Sequence, residues 1–165
     1  MPLFGPAMPL PNLDDPDTRE FWELCRQHRL AIQQCALCNR FRFAPAPMCF
    51  NCHSLEYRWV ESEGIGEIFT WTVVHRPVHV AVKDMVPYNT IVVRLMDCEG
   101  ALITSNLLGV DPDSIEAGLL VEVEWDDVSA TCSLPRFRRL SAARSRELAG
   151  STVPFAHRHD RSVGA

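Results

Sequence analysis

Apolar and polar residues change their period twice along this 165-residue chain. Phe21, Leu24, Cys25 and His28 fall on one face at helical spacing, with Trp22 beside them. The run Asp14-Asp15-Pro16-Asp17-Thr18-Arg19-Glu20 just before them carries start signals. Asp15 or Asp17 can cap the first amides, Pro16 suits a first helical position, and Glu20 stands three residues after Asp17 as in a capping box. A helix is therefore predicted over 14–29, ending near His28, with Cys25 on its buried face. The segment Leu30-Ala31-Ile32-Gln33-Gln34 reads as a short strand.

From Tyr57 the period becomes two, and strands are predicted at 65–76, 89–98, 101–109, 119–127 and 130–139. The first is dense in β-branched and aromatic residues, from Ile65 through Trp71 to Val74. Cys98-Glu99-Gly100 is a hairpin turn with glycine where positive φ is needed. Asp111 to Gly118 reads as a short helix capped by Asp111, with Pro112 in its first turn and Gly118 at its end. Val121, Val123 and Trp125 alternate with Glu122, Glu124 and Asp126, which are expected to form a solvated face. Five strands with a helix between the third and fourth is the order of an OB-fold barrel. A sandwich fragment is the rival, but strands of this length close better than they stack.

Between the helix and the barrel, Cys35-x-x-Cys38 and Cys49-x-x-Cys52 form two pairs ten residues apart. Two such knuckles present four thiolates in the tetrahedral all-sulfur cage that structural zinc prefers. The intervening stretch carries Pro45, Pro47, Phe41 and Phe43 and suits a small ribbon hairpin. The expected metal is thus structural zinc on Cys35, Cys38, Cys49 and Cys52. Disulfides are the alternative, and the absence of a secretory pattern argues against them. His53 follows the fourth cysteine and is expected at the surface. The fold class is mainly β: a Pro-rich extended arm at 1–13, the helix at 14–29, a rubredoxin-like ribbon at 30–60, the barrel at 61–140 and a tail at 141–165.

Composition narrows the function. The 47% hydrophobic and 22% charged fractions are those of a soluble globular protein, with no apolar run long enough to span a bilayer. The expected location is cytoplasmic, with no membrane partner. Between Glu61 and Asp127 there are thirteen acidic residues against Arg76, Lys83 and Arg94. That is the wrong sign for a nucleic-acid face, although seven arginines against two acids follow Pro135.

Enzyme chemistry is hard to place. There is no G-x-S-x-G, phosphate loop or His-rich metal motif, and Gly64-Ile65-Gly66 precedes a strand where a dinucleotide fingerprint would follow one. The glycines are expected to permit a bend. His75-Arg76-Pro77-Val78-His79 offers the best local candidate, because Arg76 could clamp a phosphate with two parallel hydrogen bonds. Pairing with a neighbouring acid is the plain alternative. Trp71 on the same strand suits either ligand stacking or the core. Arg40 and Arg42 alternate with Phe41 and Phe43, a pattern that could grip a nucleotide or simply pack an apolar face on the barrel. Arg136, Arg138 and Arg139 could meet a phosphate or an acidic partner, or solvate an edge strand.

A helix with Phe21-Trp22, then Arg29-Leu30, Cys35-x-x-Cys38 and Cys49-x-x-Cys52-x-Ser54, followed by Gly64-x-Gly66-x-Ile68-x-Thr70-Trp71-Thr72-Val73-Val74-His75-Arg76-Pro77, resembles the zinc-ribbon/OB-fold proteins once called DUF35. The likeness covers about residues 17–139. Asn39 departs from the glycine often found after the second cysteine, and Asn tolerates the left-handed conformation such a knuckle needs. The resemblance implies a non-catalytic accessory subunit of acyl-CoA enzymes in lipid, sterol or polyketide metabolism. Its implied partner is a thiolase- or aldolase-like enzyme, with ribbon and barrel docking it and helping to hold the CoA thioester. Two other readings remain: a single-stranded nucleic-acid module, and a stand-alone acyl-CoA enzyme using His75 or His79 as base.

Overall fold

The computed structural model of the chain describes residues 3–5 and 7–150. Helix α1 (Arg19–Arg26) leads into a three-stranded antiparallel sheet, ordered β2-β1-β3, of β1 (Ala31–Cys35), β2 (Phe41–Arg42) and β3 (Tyr57–Glu61). A five-stranded antiparallel sheet follows: β4 (Ile65–Val74), β5 (Tyr88–Leu95), β6 (Leu102–Ser105), β7 (Leu120–Ser129) and β8 (Cys132–Arg139), in the order β6-β5-β4-β7-β8. The two edges meet where Leu107 bridges Phe137 in parallel, with Leu108 N–H donating to the Phe137 carbonyl at 2.7 Å. This nearly closes the barrel and makes it the OB-fold expected from the strand order. Helix α2 (Ala142–Gly150) follows β8, and the expectations for residues 151–165 lie outside the described residues.

Several local readings shift. The start signals build a turn ahead of α1 rather than its cap: Asp17 N–H donates to Asp15 Oδ1 at 2.9 Å, Arg19 N–H donates to the Asp15 carbonyl at 2.8 Å, and Thr18 occupies the cap position. The helix predicted over 111–118 is a single 3-10 turn, Pro112–Ser114. Asp111 caps it through Asp113 N–H at 3.0 Å, but Gly118 then donates to the Ile68 carbonyl, so the chain is already joining the sheet. The third strand is shorter than predicted because Asn106 and Leu108 turn toward β8 to close the barrel. In the arm, Phe4 is buried, with its ring edge-on to Tyr88 at 5.4 Å, and Leu3 N–H donates to Asp126 at 3.3 Å.

One core joins α1, the ribbon and the barrel. Phe21 and Cys25 of α1 and Leu30 and Ile32 of the ribbon join the cluster of Ile68, Ile91, Val93, Leu95, Ile103, Val121 and Phe137 in the barrel. Burial also pushes the Cys25 thiol up to about 12, as befits a packed apolar-face residue. Polar ties hold the joints. Glu20 accepts from Tyr57 Oη at 3.2 Å and Trp59 Nε1 at 2.6 Å, and Arg29 pairs with Glu61 at 2.9 Å. Between ribbon and barrel, Asp97 accepts from the Ser62 hydroxyl and from Glu63 N–H, both at 2.7 Å. Gly64 makes the bend there with φ 71°, and a Cβ on it would lie 2.2 Å from Val123 Cγ1. Gly66 lies under β5, where a Cβ would meet the Arg94 carbonyl at 2.5 Å.

Candidate metal centre and ligand surfaces

The end of β1 and the loop before β3 each fold into a knuckle. Asn39 (φ 58°) returns its N–H to the Cys35 carbonyl at 3.1 Å, and His53 (φ 60°) returns its N–H to the Cys49 carbonyl at 2.9 Å. Asn and His tolerate this left-handed backbone better than branched residues do. The paired knuckles bring the sulfurs of Cys35, Cys38, Cys49 and Cys52 within 4.8 Å of one another. Cys35 and Cys52 lie 3.5 Å apart and Cys38 and Cys49 3.6 Å apart. A tetrahedron with metal–sulfur bonds of about 2.3 Å has edges of about 3.8 Å, so the cage fits a zinc-sized ion. Disulfides would need sulfurs about 2.05 Å apart, and all seven cysteines are free.

Backbone amides prepare the cage for charge. The N–H groups of Cys38 and Leu37 hold the Cys35 thiol below its ordinary value, and those of Cys52 and Asn51 bring Cys49 down to about 6. Ser54 N–H acts on Cys52 in the same direction, but burial and the three neighbouring sulfurs outweigh it and push that thiol up to about 12. Four thiolates this close repel one another unless a cation sits among them. With four sulfurs converging there is no open position, so the centre suits structure rather than activation of water. His53 is exposed beside it, as expected.

The cationic candidates separate. Arg76 is exposed in the segment after β4 and takes part in none of the ion pairs among the described residues. Trp71 stands opposite Ile91 on β4 but is 38% exposed, so it is not a core tryptophan. Arg40 is exposed on the ribbon hairpin. Arg42 departs from the surface role expected of it. It is only 5% exposed, its Nε donates to Gln33 Oε1 at 2.7 Å, and its guanidinium lies 5.5 Å from the Tyr57 ring centroid. Phe41 and Phe43 pack against the core, Phe43 with its ring 5.4 Å from Phe21. The alternating hairpin therefore does not form a continuous basic face.

The basic cluster on β8 is engaged by neighbouring groups of the chain itself. Arg136 pairs with Asp126 at 3.2 Å, Arg138 spans Glu122 at 3.1 Å and Glu124 at 3.3 Å, and Arg139 donates to the Ser114 carbonyl at 3.0 Å. The acids of β7 are thus not uniformly solvated: Asp126 is buried, and burial lowers the pKa of Arg136 beside it. His79 Nδ1 accepts from Ala81 N–H at 3.1 Å, capping the turn Val80–Val82, and His75 is exposed. Residues that pattern reading passed over include Gln33 and Asn89. Gln33 is buried and also accepts from Ala46 N–H at 3.0 Å; Asn89 bonds both the amide and the carbonyl of Leu107. With Gln33 and Gln34 adjacent, alternation alone does not say which of the two faces inward.

A four-thiol ribbon joined to an OB barrel defines a class of protein, and comparison with known proteins places the chain within it. Residues 22–58 match the family model "ChsH2, rubredoxin-like zinc ribbon domain", and residues 59–126 match "ChsH2, C-terminal OB-fold domain". A DUF35 domain-containing scaffold protein of Methanothermobacter thermautotrophicus is 30% identical over 67% of this chain and 81% of its own length. The chain belongs to the DUF35 family. It is also 39% identical to a probable enoyl-CoA hydratase alpha subunit of Thermomonospora curvata, over 72% of this chain. The chain spans about a third of that relative, 36% of its length. Among solved structures, a chain of an Ltp2-ChsH2(DUF35) aldolase superposes with a TM-score of 0.69 at 36% identity, covering 80% of this chain and 98% of that one. Among the described residues, no helix is long and apolar enough to cross a membrane.

Proposed function

We propose that this chain is a non-catalytic subunit that docks a thiolase- or aldolase-like acyl-CoA enzyme and helps hold the CoA or acyl group, in lipid, sterol or polyketide metabolism. The observation that carries this reading is the likeness to the chain from the Ltp2-ChsH2(DUF35) aldolase, which runs through 98% of that chain. The local geometry supports it. The four thiols converge as a closed structural zinc site would require, and the lone pair of His79 Nδ1 is engaged by a backbone amide. Arg76 and Trp71, with Arg40 on the ribbon, are the exposed groups available to a CoA phosphate or ring. A nucleic-acid role is the weaker reading, because Arg136 and Arg138 of β8 are taken up by Asp126, Glu122 and Glu124.

The test is co-purification of the full chain with its partner, followed by acyl-CoA turnover of the separated and recombined components. Turnover that needs the partner, and is raised by this chain, is the expected result. Turnover by this chain alone, lost in His75→Ala or His79→Ala, would establish the stand-alone enzyme instead.

A further inference from the structure

Strand β4 is paired with β5 from Gly66 to Val74, but with β7 only from Ile65 to Glu67. The β7 side closes at Ile68, which donates its N–H to the Leu119 carbonyl at 2.9 Å and accepts from Gly118 N–H at 2.8 Å. Among the described residues, nothing pairs with Thr70–Val74 on that side. Alternate residues of a strand aim their N–H and C=O groups to either side, so this edge of roughly 17 Å offers a row of unused donors and acceptors. Exposure agrees with the pairing. Phe69, Thr70, Trp71 and Thr72 are exposed in succession, so both faces of the strand stand clear of the core here.

Open edges are normally blunted by lysine, proline or an inward charge. Thr70-Trp71-Thr72-Val73-Val74 carries no charge, proline or glycine, and all its residue types favour strands. The irregularity at Phe69 lies before this stretch and leaves its register even. The occupant such an edge fits is another extended strand, and charge says which. At one end of the edge, two residues before Gly118, Glu116 is exposed; at the other, Arg76 is exposed. Neither joins an ion pair among the described residues. An antiparallel copy of the same strand reverses these ends and brings Arg76 of each copy toward Glu116 of the other. A parallel copy would set like ends together.

We propose that Thr70–Val74 is a self-association edge, on which a second copy of this chain pairs antiparallel across a two-fold axis centred on Thr72. Thr72 then faces Thr72 of the second copy, Trp71 faces its Val73, and Thr70 faces its Val74. These are threonine pairs and aromatic–β-branched pairs, both favourable across strands. Each copy uses the same patch, so the contact is isologous and closes at a dimer. Pro77 ends the stretch that can pair, because it has no N–H to give. The exposed Val78 and Val80 just past it, at 80% and 76%, extend the apolar surface beside the edge.

The experiment is sedimentation equilibrium of the full chain alone, with zinc content and melting temperature recorded for every variant. A short edge makes a reversible contact, so a dimer with a dissociation constant on the order of tens of micromolar is expected. Thr72→Lys sets two like charges directly opposite each other across the axis and should weaken the dimer about tenfold or more. Arg76→Glu and Glu116→Arg should each weaken it roughly threefold, and the two together restore opposite charges and should return to within about twofold of wild type. Amide exchange at alternate residues of 70–74 should slow as the chain is concentrated. A wild-type chain that stays monomeric up to roughly 500 μM overturns the proposal. So does a folded Thr72→Lys that dimerises within about twofold of wild type, because the contact then lies elsewhere. A double charge variant no better than either single one overturns the antiparallel pairing and is decisive if Thr72→Lys fails to fold. A monomeric wild type whose complex with the partner enzyme is loosened by Thr72→Lys would assign the edge to an enzyme strand, which also refutes self-pairing. The sedimentation result is obtained without the enzyme, so failure of the docking reading leaves it unchanged.

Discussion

Gly64 joins the ribbon to the barrel, and Gly64→Ala isolates how tightly that joint is built. Its φ of 71° lies in the left-handed region, where a side chain costs about 1–2 kcal/mol. The added Cβ would also lie 2.2 Å from Val123 Cγ1 and 2.8 Å from Val123 Cβ. Val123 is held in place because its own N–H donates to the Gly64 carbonyl at 2.8 Å. Overpacking of this kind costs a further ~1–3 kcal/mol. The sum, about 2–5 kcal/mol, corresponds to a fall in melting temperature of roughly 5–15 °C for a chain of this size. Gly100→Ala is the matched control. Its φ is 82°, and a Cβ there meets nothing within 4 Å, so it should show only the backbone cost. Thermal unfolding of both variants, followed by circular dichroism, makes the comparison. Gly64→Ala in a Val123→Ala background should then cost less than in wild type, because the clashing methyl is gone. If Gly64→Ala is no more destabilising than Gly100→Ala, the close approach of β7 to the joint is wrong.

Two further perturbations probe the metal and the buried charges. Chelation, or Cys49→Ser, should lower the melting temperature by well over 10 °C and loosen the ribbon, because a structural zinc site contributes its binding energy directly to folding; metal analysis with parallel thermal scans checks this, and an unchanged melting temperature would refute it. Arg136→Ala should cost about 3–5 kcal/mol by leaving buried Asp126 uncompensated, measured by chemical denaturation. Replacing both partners, in Arg136→Met with Asp126→Leu, should recover much of that loss, and a single-variant cost below about 1 kcal/mol would contradict the pairing.

What the sequence showed and what it hid follow from the range of each interaction. Strand order and the two knuckles were legible because alternation and cysteine spacing are local signals: Val121 is buried, Val123 packs partly buried against the core, and Asn39 takes the left-handed backbone of its knuckle. The parallel closure through Leu107 and Phe137 was implied only by analogy of order, since nothing in either segment names the other. The ligand candidates fared unevenly for the same reason. Arg42 and Arg40 look alike in an alternating stretch, yet pairing of Arg42 with Gln33 across β1 and β2 carries one of them inside. Asp126 read as one of three solvated acids, but its partner lies across the turn on β8 and the chain's own third residue reaches it from the far end. Of the start signals only Asp15 makes its local hydrogen bond, to Asp17 N–H; Thr18 at the cap position makes no side-chain bond, Glu20 turns to Tyr57 and Trp59 instead of closing a capping box, and the packing of Phe21 and Cys25 sets the helix.

A zinc-pinned ribbon and its barrel are proposed to act together as a docking subunit. Native mass spectrometry of the full chain, co-expressed with a thiolase- or aldolase-like acyl-CoA enzyme, measures it directly. The expected result is a stoichiometric complex in which every copy of this chain carries one zinc ion. A zinc-free chain, or a zinc-loaded one that stays apart from the enzyme at micromolar concentration, would contradict it.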